Sequence, residues 1–114
     1  MKLLIGAVAA VLLAGCTSPS NQARAVGPYK VYSSQKVANV VAQCVEYAWQ
    51  DEAMVGPEAQ AFMRSSADGF TVYTTGAEYF VDVKAQGGKT SLSYYAAPDT
   101  MPADRRGAAL ATCL

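Results

Sequence analysis

Hydrophobic positions follow three different spacings along the chain. Residues 3–14 are apolar without interruption, residues 37–50 repeat apolar positions every three or four residues, and residues 70–96 alternate apolar and polar positions between glycines. A helical period followed by strand-like alternation is typical of an α+β fold. We therefore predict a small α+β domain over residues 34–114, preceded by two N-terminal segments.

The first predicted helix follows Ser34, whose hydroxyl suits an N-cap. Trp49 ends the apolar stripe of this helix, and an indole at that place is typical of a side chain that fills a core, with a ligand platform as the alternative. The stripe itself is formed by Val37, Val40, Val41, Cys44, Val45 and Ala48.

A second, short helix is predicted over residues 57–63. Gly56-Pro57-Glu58 has the composition of a helix start, with proline at the first position and an acid in the first turn. This helix would place Phe62 and Met63 against the core.

Three strands are predicted over residues 70–75, 78–85 and 89–96, which are rich in Tyr, Val, Phe and Thr. A two-residue turn at Gly87-Gly88 places Val83 opposite Leu92, and a turn at Gly76-Ala77 places Val72 opposite Val81. The prediction is a three-stranded antiparallel meander. Its inner face comprises Val72, Tyr79, Val81, Val83, Leu92 and Tyr94.

The last predicted helix is capped by Thr100, has Pro102 near its first turn and runs to about residue 112. Its small residues permit a close approach to the first helix. We expect both helices to pack on the inner face of the meander, in the order helix-strand-strand-strand-helix.

The N-terminus has the pattern of an export signal. Lys2 precedes the run of twelve residues 3–14, which is shorter than the roughly 20 residues of a membrane-spanning helix. The run ends in Leu13-Ala14-Gly15-Cys16, which resembles the lipobox of bacterial lipoproteins. The resemblance implies cleavage after residue 15 and lipidation of Cys16, and Thr17 after the cysteine implies the outer membrane. An ordinary secretory signal is the alternative.

Residues 16–33 are polar, contain proline and glycine, and predict a lipidated flexible tether. Fully extended, residues 17–33 would reach roughly 55 Å. An edge strand at the 29–32 end of this segment is the alternative.

Cys44 and Cys113 remain after Cys16 is assigned to the lipid. The bacterial periplasm is oxidising, so an even remainder predicts a disulfide. The two cysteines are 69 positions apart, a loop whose closure stabilises the fold by about 4 kcal/mol. Buried free thiols, or a metal or redox role, are the alternatives.

The predicted outer face of the meander carries Tyr73, Phe80 and Tyr95 in line across its three strands. Aromatic side chains among polar neighbours suit recognition of a protein, peptide or glycan. The alternatives are that the rings stabilise the sheet by pairing across strands, or that residues 51–69 cover them.

Composition argues against several functional classes. The chain has no histidine, which removes the usual general base and the commonest metal ligand, so no catalytic residue, metal or cofactor is expected. Glu78 and Asp82 on one strand would lie about 13 Å apart, too far to act as a pair. Nine basic and nine acidic residues do not form the basic surface that nucleic acid requires.

The domain also resembles small proteobacterial lipoproteins of unassigned activity, in its Cys-bearing helix with a Trp near the end, its short sheet and its Cys near the C-terminus. We therefore expect a non-catalytic envelope lipoprotein, held at the membrane by its lipid, that binds an envelope protein or assists complex assembly. A periplasmic inhibitor or ligand-binding protein, for example of a cell-wall hydrolase, is the alternative.

Overall fold

The computed structural model of the chain describes residues 19–53 and 60–114. Three helices and five strands follow one another over these residues. They are α1 (Pro19–Val26), β1 (Lys30–Ser34), α2 (Ala38–Ala53), β2 (Ala61–Ser66), β3 (Gly69–Thr74), β4 (Phe80–Gln86), β5 (Lys89–Tyr95) and α3 (Met101–Ala111), with a 3₁₀ turn at Thr75–Ala77. The predicted signal peptide, Cys16 and residues 54–59 lie outside the described residues.

The strands form one antiparallel sheet in the order β1-β5-β4-β3-β2. The predicted pairs Val83–Leu92 and Val72–Val81 are both present, and the same register pairs Val81 with Tyr94. The turn between β4 and β5 is formed by Gly87 and Gly88 at φ +53° and +82°, as a tight hairpin of right-handed twist requires. The register of the central strands is therefore confirmed.

The prediction of a three-stranded sheet is wrong, because one further strand flanks the meander on each side. β1 pairs with β5, and β2 pairs with β3. Both additions are short edge strands, and each forms backbone hydrogen bonds on one side with a strand that the sequence pattern had already identified. The sheet begins at Lys30, four residues before the predicted domain boundary.

The prediction of a helix over residues 57–63 is wrong for the described part of this region, because residues 61–63 belong to the strand β2. Strand alternation sends Met63 toward the core, where it is partly buried, and leaves Phe62 41% exposed on the other face. The prediction that both residues face the core is wrong for Phe62.

α2 and α3 cover the inner face of the sheet, and the core lies between these two layers. Trp49 is fully buried and donates its indole N–H to the carbonyl oxygen of Arg106 at 3.0 Å, which confirms that it fills the core. Fully or almost fully buried core residues are Val41, Ala42, Val45, Val72, Val81, Val83, Leu92, Tyr94 and Leu110.

The start of α2 differs from the prediction. Ser34 is the last residue of β1, and its Oγ accepts a hydrogen bond from the amide of Lys36 at 3.1 Å, so it shapes the turn between strand and helix. α2 begins four residues later, at Ala38. Val37, just before the helix, is 63% exposed and Val40 is 48% exposed, so these two residues of the predicted apolar stripe do not face the core.

α3 packs beside α2 and is joined to it covalently. Thr100 caps α3 as predicted, accepting a hydrogen bond from the amide of Ala103 at 3.2 Å. The predicted disulfide between Cys44 and Cys113 is present, with 5.7 Å between the two Cα atoms. It joins the middle of α2 to the residues just after α3.

The segment predicted as a tether contains α1 and β1. β1 corresponds to the edge strand that the sequence left as the alternative, and α1 precedes it by three residues. In the described part of the chain, no helix combines the length and apolarity that a membrane crossing requires.

Candidate functional site

The outer face of the sheet, opposite α2 and α3, carries four aromatic side chains in one row. The register pairs Phe62 with Tyr73, Tyr73 with Phe80, and Phe80 with Tyr95. Side chains directly opposite on neighbouring strands point to the same face, so the four rings cross β2, β3, β4 and β5 side by side. We call this set the aromatic row.

The structure brings together the three residues singled out from the sequence, but it buries two of them. Phe80 and Tyr95 are stacked, with 4.5 Å between ring centroids and 13° between ring planes. They are only 2% and 9% exposed. These two rings therefore form a packed half of the aromatic row.

The other half of the row is open. Phe62 lies 5.6 Å from Tyr73 between ring centroids, and Phe62 is 41% exposed while Tyr73 is partly buried. The guanidinium carbon of the exposed Arg64 lies 5.9 Å from the centre of the Tyr73 ring. Two adjacent rings with a cation over one of them form an amphipathic surface suited to contact with another molecule.

Phe62 was missed by sequence reasoning because β2 was predicted as a helix. The signal that could have found it is Asp68-Gly69, which precedes a predicted strand and is a strong hairpin dipeptide. A hairpin near that dipeptide requires a preceding strand; in the structure the turn is Ala67-Asp68, one position earlier, and the preceding strand covers residues 61–66. Phe62 would then alternate onto the face of Tyr73.

A second row of side chains on the outer face includes Thr71 and Asp82, which are directly opposite each other on β3 and β4. Asp82 forms an ion pair with Arg24 of α1. Arg24 donates from Nε to Oδ2 of Asp82 at 2.8 Å and from NH2 to Oδ1 at 2.9 Å. Thr71 donates its hydroxyl to Oδ1 of Asp82 at 2.7 Å. The Arg24 guanidinium carbon also lies 4.9 Å from the centre of the Phe80 ring, so α1 covers the packed half of the aromatic row.

The hydrogen bonds and charges around Asp82 outweigh the effect of burial on its ionisation. Burial raises the pKa of the Asp82 carboxyl, but hydrogen bonds from Arg24 and Thr71 and the charges of Arg24 and Lys84 together lower that pKa below its ordinary value of 3.8. The hydrogen bond to Asp82 raises the pKa of Arg24 above its ordinary value. Both groups are therefore charged at neutral pH, and the pair is intact.

Asp82 and Glu78 do not share a strand as the sequence pattern indicated. β4 begins at Phe80, and Glu78 follows the 3₁₀ turn as an exposed residue. The Asp82 carboxylate is bonded to Arg24 and Thr71, an arrangement that stabilises its charged form.

The described residues contain no group of three or more His, Cys, Asp or Glu side chains able to hold a metal ion. Comparison with known proteins gives no further information about this site. No family model, curated protein or solved structure matches the chain. The outer face must therefore be interpreted from its own chemistry.

Proposed function

We propose that this chain is a non-catalytic lipoprotein of the bacterial envelope, anchored through Cys16 to the outer membrane, whose domain binds a protein partner through the outer face of its sheet. The observation that carries the binding proposal is the open half of the aromatic row. It combines a large exposed ring at Phe62, the neighbouring ring of Tyr73 and the cation of Arg64.

Export is supported by the sequence pattern of residues 1–16 and by the disulfide. Disulfides persist in oxidising compartments such as the periplasm and are rare in the cytosol. The Cys44–Cys113 bond joins elements that are far apart in the sequence and close in the fold. Cys16 is then the cysteine that remains for a lipid.

Binding at the outer face is supported by the contrast with the well-packed inner face. Aromatic residues and arginine are the side chains that contribute most often to protein-protein hot spots. Phe62 and Arg64 lie on β2, at one edge of the sheet, where a partner reaches them without displacing a helix.

The anchoring proposal is tested by mass spectrometry of the protein isolated from bacterial membranes. We expect a mature N-terminus at Cys16 that carries acyl chains, in the outer-membrane fraction of a density gradient. The control is Cys16→Ala, which should lose both the lipid and the membrane association. A wild-type protein without acyl groups would overturn the proposal.

The binding proposal is tested by placing a photo-crosslinking amino acid at position 62 in living cells. The matched control is position 47, because Tyr47 is a 59% exposed aromatic residue on α2, away from the outer face. We expect one discrete adduct from position 62 that weakens on Tyr73→Ala and is absent from position 47. The same adducts from both positions, or none from position 62, would contradict binding at this face.

A further inference from the structure

β2 is an edge strand whose backbone groups alternate between β3 and the outside. In the described part of the chain, the sheet ends at β2. The amide of Thr75 donates to the carbonyl oxygen of Gln60 at 3.2 Å, and this pair continues the register of β2 with β3. Bonded and unbonded pairs alternate in an antiparallel ladder, so the odd-numbered residues of β2 direct their N–H and C=O groups to the open edge. These residues are Ala61, Met63 and Ser65.

The edge is open along the second half of β2. The carbonyl oxygen of Ala61 already accepts a hydrogen bond from Nε2 of Gln50 at 3.0 Å, and Ala61 is buried. Residues 64–66 are exposed, and no hydrogen bond from another described residue reaches the edge-facing groups of Met63 and Ser65. β2 contains no proline and pairs with β3 without a bulge, so this part of its edge is a regular template for another strand.

The side chains beside this edge define what a neighbouring strand should carry. Phe62 and Arg64 lie on the outer face, and an added strand places one side chain opposite each of them. Arg64 is exposed and forms no ion pair with a described residue, while the exposed Lys84 adds positive charge on the same face. A carboxylate therefore complements Arg64, and an apolar side chain complements the exposed ring of Phe62.

A second copy of this chain fits the edge poorly. Two β2 strands that pair through Met63 of one copy and Ser65 of the other place their Arg64 side chains directly opposite each other, and like charges at that position are destabilising. Shifting the register one way needs the edge of Ala61, where Gln50 is bound. Shifting it the other way leaves only the Ser65 pair within the strand. The edge therefore favours a segment of another protein.

We infer that the partner protein adds an extended segment to β2 as a sixth, antiparallel strand, with an acidic residue opposite Arg64 and an apolar residue two positions away opposite Phe62. This inference rests on the proposed function, because it assumes that the partner binds at the outer face. It adds the class of the partner segment. Main-chain hydrogen bonds to Met63 and Ser65 supply affinity, and the alternate side chains supply specificity.

The probe is the acetylated and amidated peptide TLTETLT, added to the full chain in detergent. Strand alternation places its Glu and both Leu residues on one face. With Glu opposite Arg64, the two Thr residues beside Glu lie opposite Met63 and Ser65 and direct their N–H groups to β2. Binding is followed by NMR shifts of the amides of β2.

Two N-methylated versions of the peptide form a matched pair. N-methylation of the two Thr residues beside Glu removes the N–H groups that donate to β2, whereas N-methylation of both Leu residues changes N–H groups that face away. We expect the first version to bind at least about ten-fold more weakly than TLTETLT, and the second to stay within about three-fold. Equal binding of the two versions, or no binding of TLTETLT, would overturn the inference.

The acidic position is tested by Arg64→Glu together with the peptide TLTKTLT. This variant should bind TLTETLT at least about five-fold more weakly than wild type and should prefer TLTKTLT, because the charge at position 64 is reversed. Lys84→Glu is the control, since it reverses a charge of the same face on β4, and it should keep the preference for TLTETLT. An Arg64→Glu variant that still prefers TLTETLT would contradict the inference.

Amide hydrogen exchange of the free protein examines the edge without any substitution. The amides of Met63 and Ser65 should exchange faster than those of Phe62 and Arg64, which donate to β3, and TLTETLT should slow them. Slow exchange at Met63 and Ser65 in the free protein would show that the edge is already occupied, by a second copy if the protection rises with protein concentration, and would sink the inference.

Crosslinking in cells separates this inference from the proposed function. An adduct from position 62, with no preference between the two N-methylated peptides, would show a partner that binds through side chains alone, so the proposed function would stand and the inference would fail. Loss of the adduct would count against the proposed function itself.

Discussion

The two faces of the sheet are covered in physically different ways. On the inner face, two long helices bury apolar side chains such as Trp49 and Leu92 completely, and a disulfide joins the helical layer at Cys44 and Cys113. On the outer face, the eight-residue helix α1 contacts the sheet at Arg24, which forms an ion pair with Asp82 and lies over the Phe80 ring. The helical layer on one side of the sheet is therefore joined by a disulfide, whereas the helix on the other side contributes a charged contact.

This contrast separates stability from recognition within one small domain. Burial of apolar area and loop closure contribute most of the free energy of folding. The disulfide and most of the buried apolar side chains belong to the inner face, and Phe80 and Tyr95 add buried area on the outer face. The ion pair of Arg24 with Asp82 contributes only about 1–2 kcal/mol, so its loss should leave the rest of the domain folded. The same sheet can then serve as scaffold and as binding surface.

The largest expected effect is on the inner face. Replacing Cys44 and Cys113 together by serine should lower the free energy of unfolding by about 4 kcal/mol, because the loop of 69 residues is no longer closed. Urea denaturation measures this directly. The oxidised and chemically reduced wild-type protein provide the matched pair, and equal midpoints for the two would contradict the assignment of stability to this bond.

The second prediction compares the two halves of the aromatic row. Phe80→Ala should destabilise the protein by about 3 kcal/mol because it leaves a cavity beside Tyr95, whereas Phe62→Ala should cost less than about 1 kcal/mol because its ring is already 41% exposed. Thermal or urea unfolding of both variants checks this. Crosslinking to the partner from position 64, an exposed position of the same face of β2, should show the reverse sensitivity, with Phe62→Ala the more damaging at constant protein level.

The third prediction concerns the contribution of the Arg24–Asp82 ion pair to the free energy of unfolding. Arg24→Ala should lower the free energy of unfolding by about 1–2 kcal/mol, since a charge-assisted hydrogen-bond pair is lost and Asp82 becomes exposed to water. Combined with Asp82→Asn in a double-mutant cycle, the coupling should account for most of this loss. Arg64→Ala, which removes an exposed arginine of the same face, should change stability by less than about 0.5 kcal/mol.

The smallest effect is a dependence on pH. The pKa of Asp82 is lowered in the folded state, so the ion pair adds stability above the ordinary value of 3.8 and loses it as pH falls through the lowered pKa. Wild type should therefore lose stability below about pH 4 more steeply than Asp82→Asn. If the unfolding midpoints of wild type and Asp82→Asn change equally with pH, the pKa of Asp82 is not lowered in the folded state.

The central strands and the last helix were predictable because local signals and long-range pairing agree there. Gly87-Gly88 fixes the turn, and the resulting register places Val81, Val83 and Leu92 on one face without conflict. Thr100 and Pro102 likewise mark the start of α3. The disulfide followed from the parity of the remaining cysteines.

The edge strands were harder to predict because pairing decides them. Residues 61–66 contain Ala, Met and Arg, which favour helix, and only the hydrogen bonds with β3 make this segment a strand. β1 has the same dependence on β5. Of the candidate site, the sequence indicated Tyr73, Phe80 and Tyr95 but missed Phe62 and the cover supplied by Arg24, since a contact 58 positions away leaves no periodic trace.

The position of α1 sets how far the domain can stand from a bilayer if Cys16 carries the lipid. Pro19, the first residue of α1, is three positions after Cys16. The chain between the lipidated residue and the helix can therefore span at most about 10 Å. The domain would then stay close to the lipid headgroups, and a partner of the outer face would have to bind it beside the membrane surface.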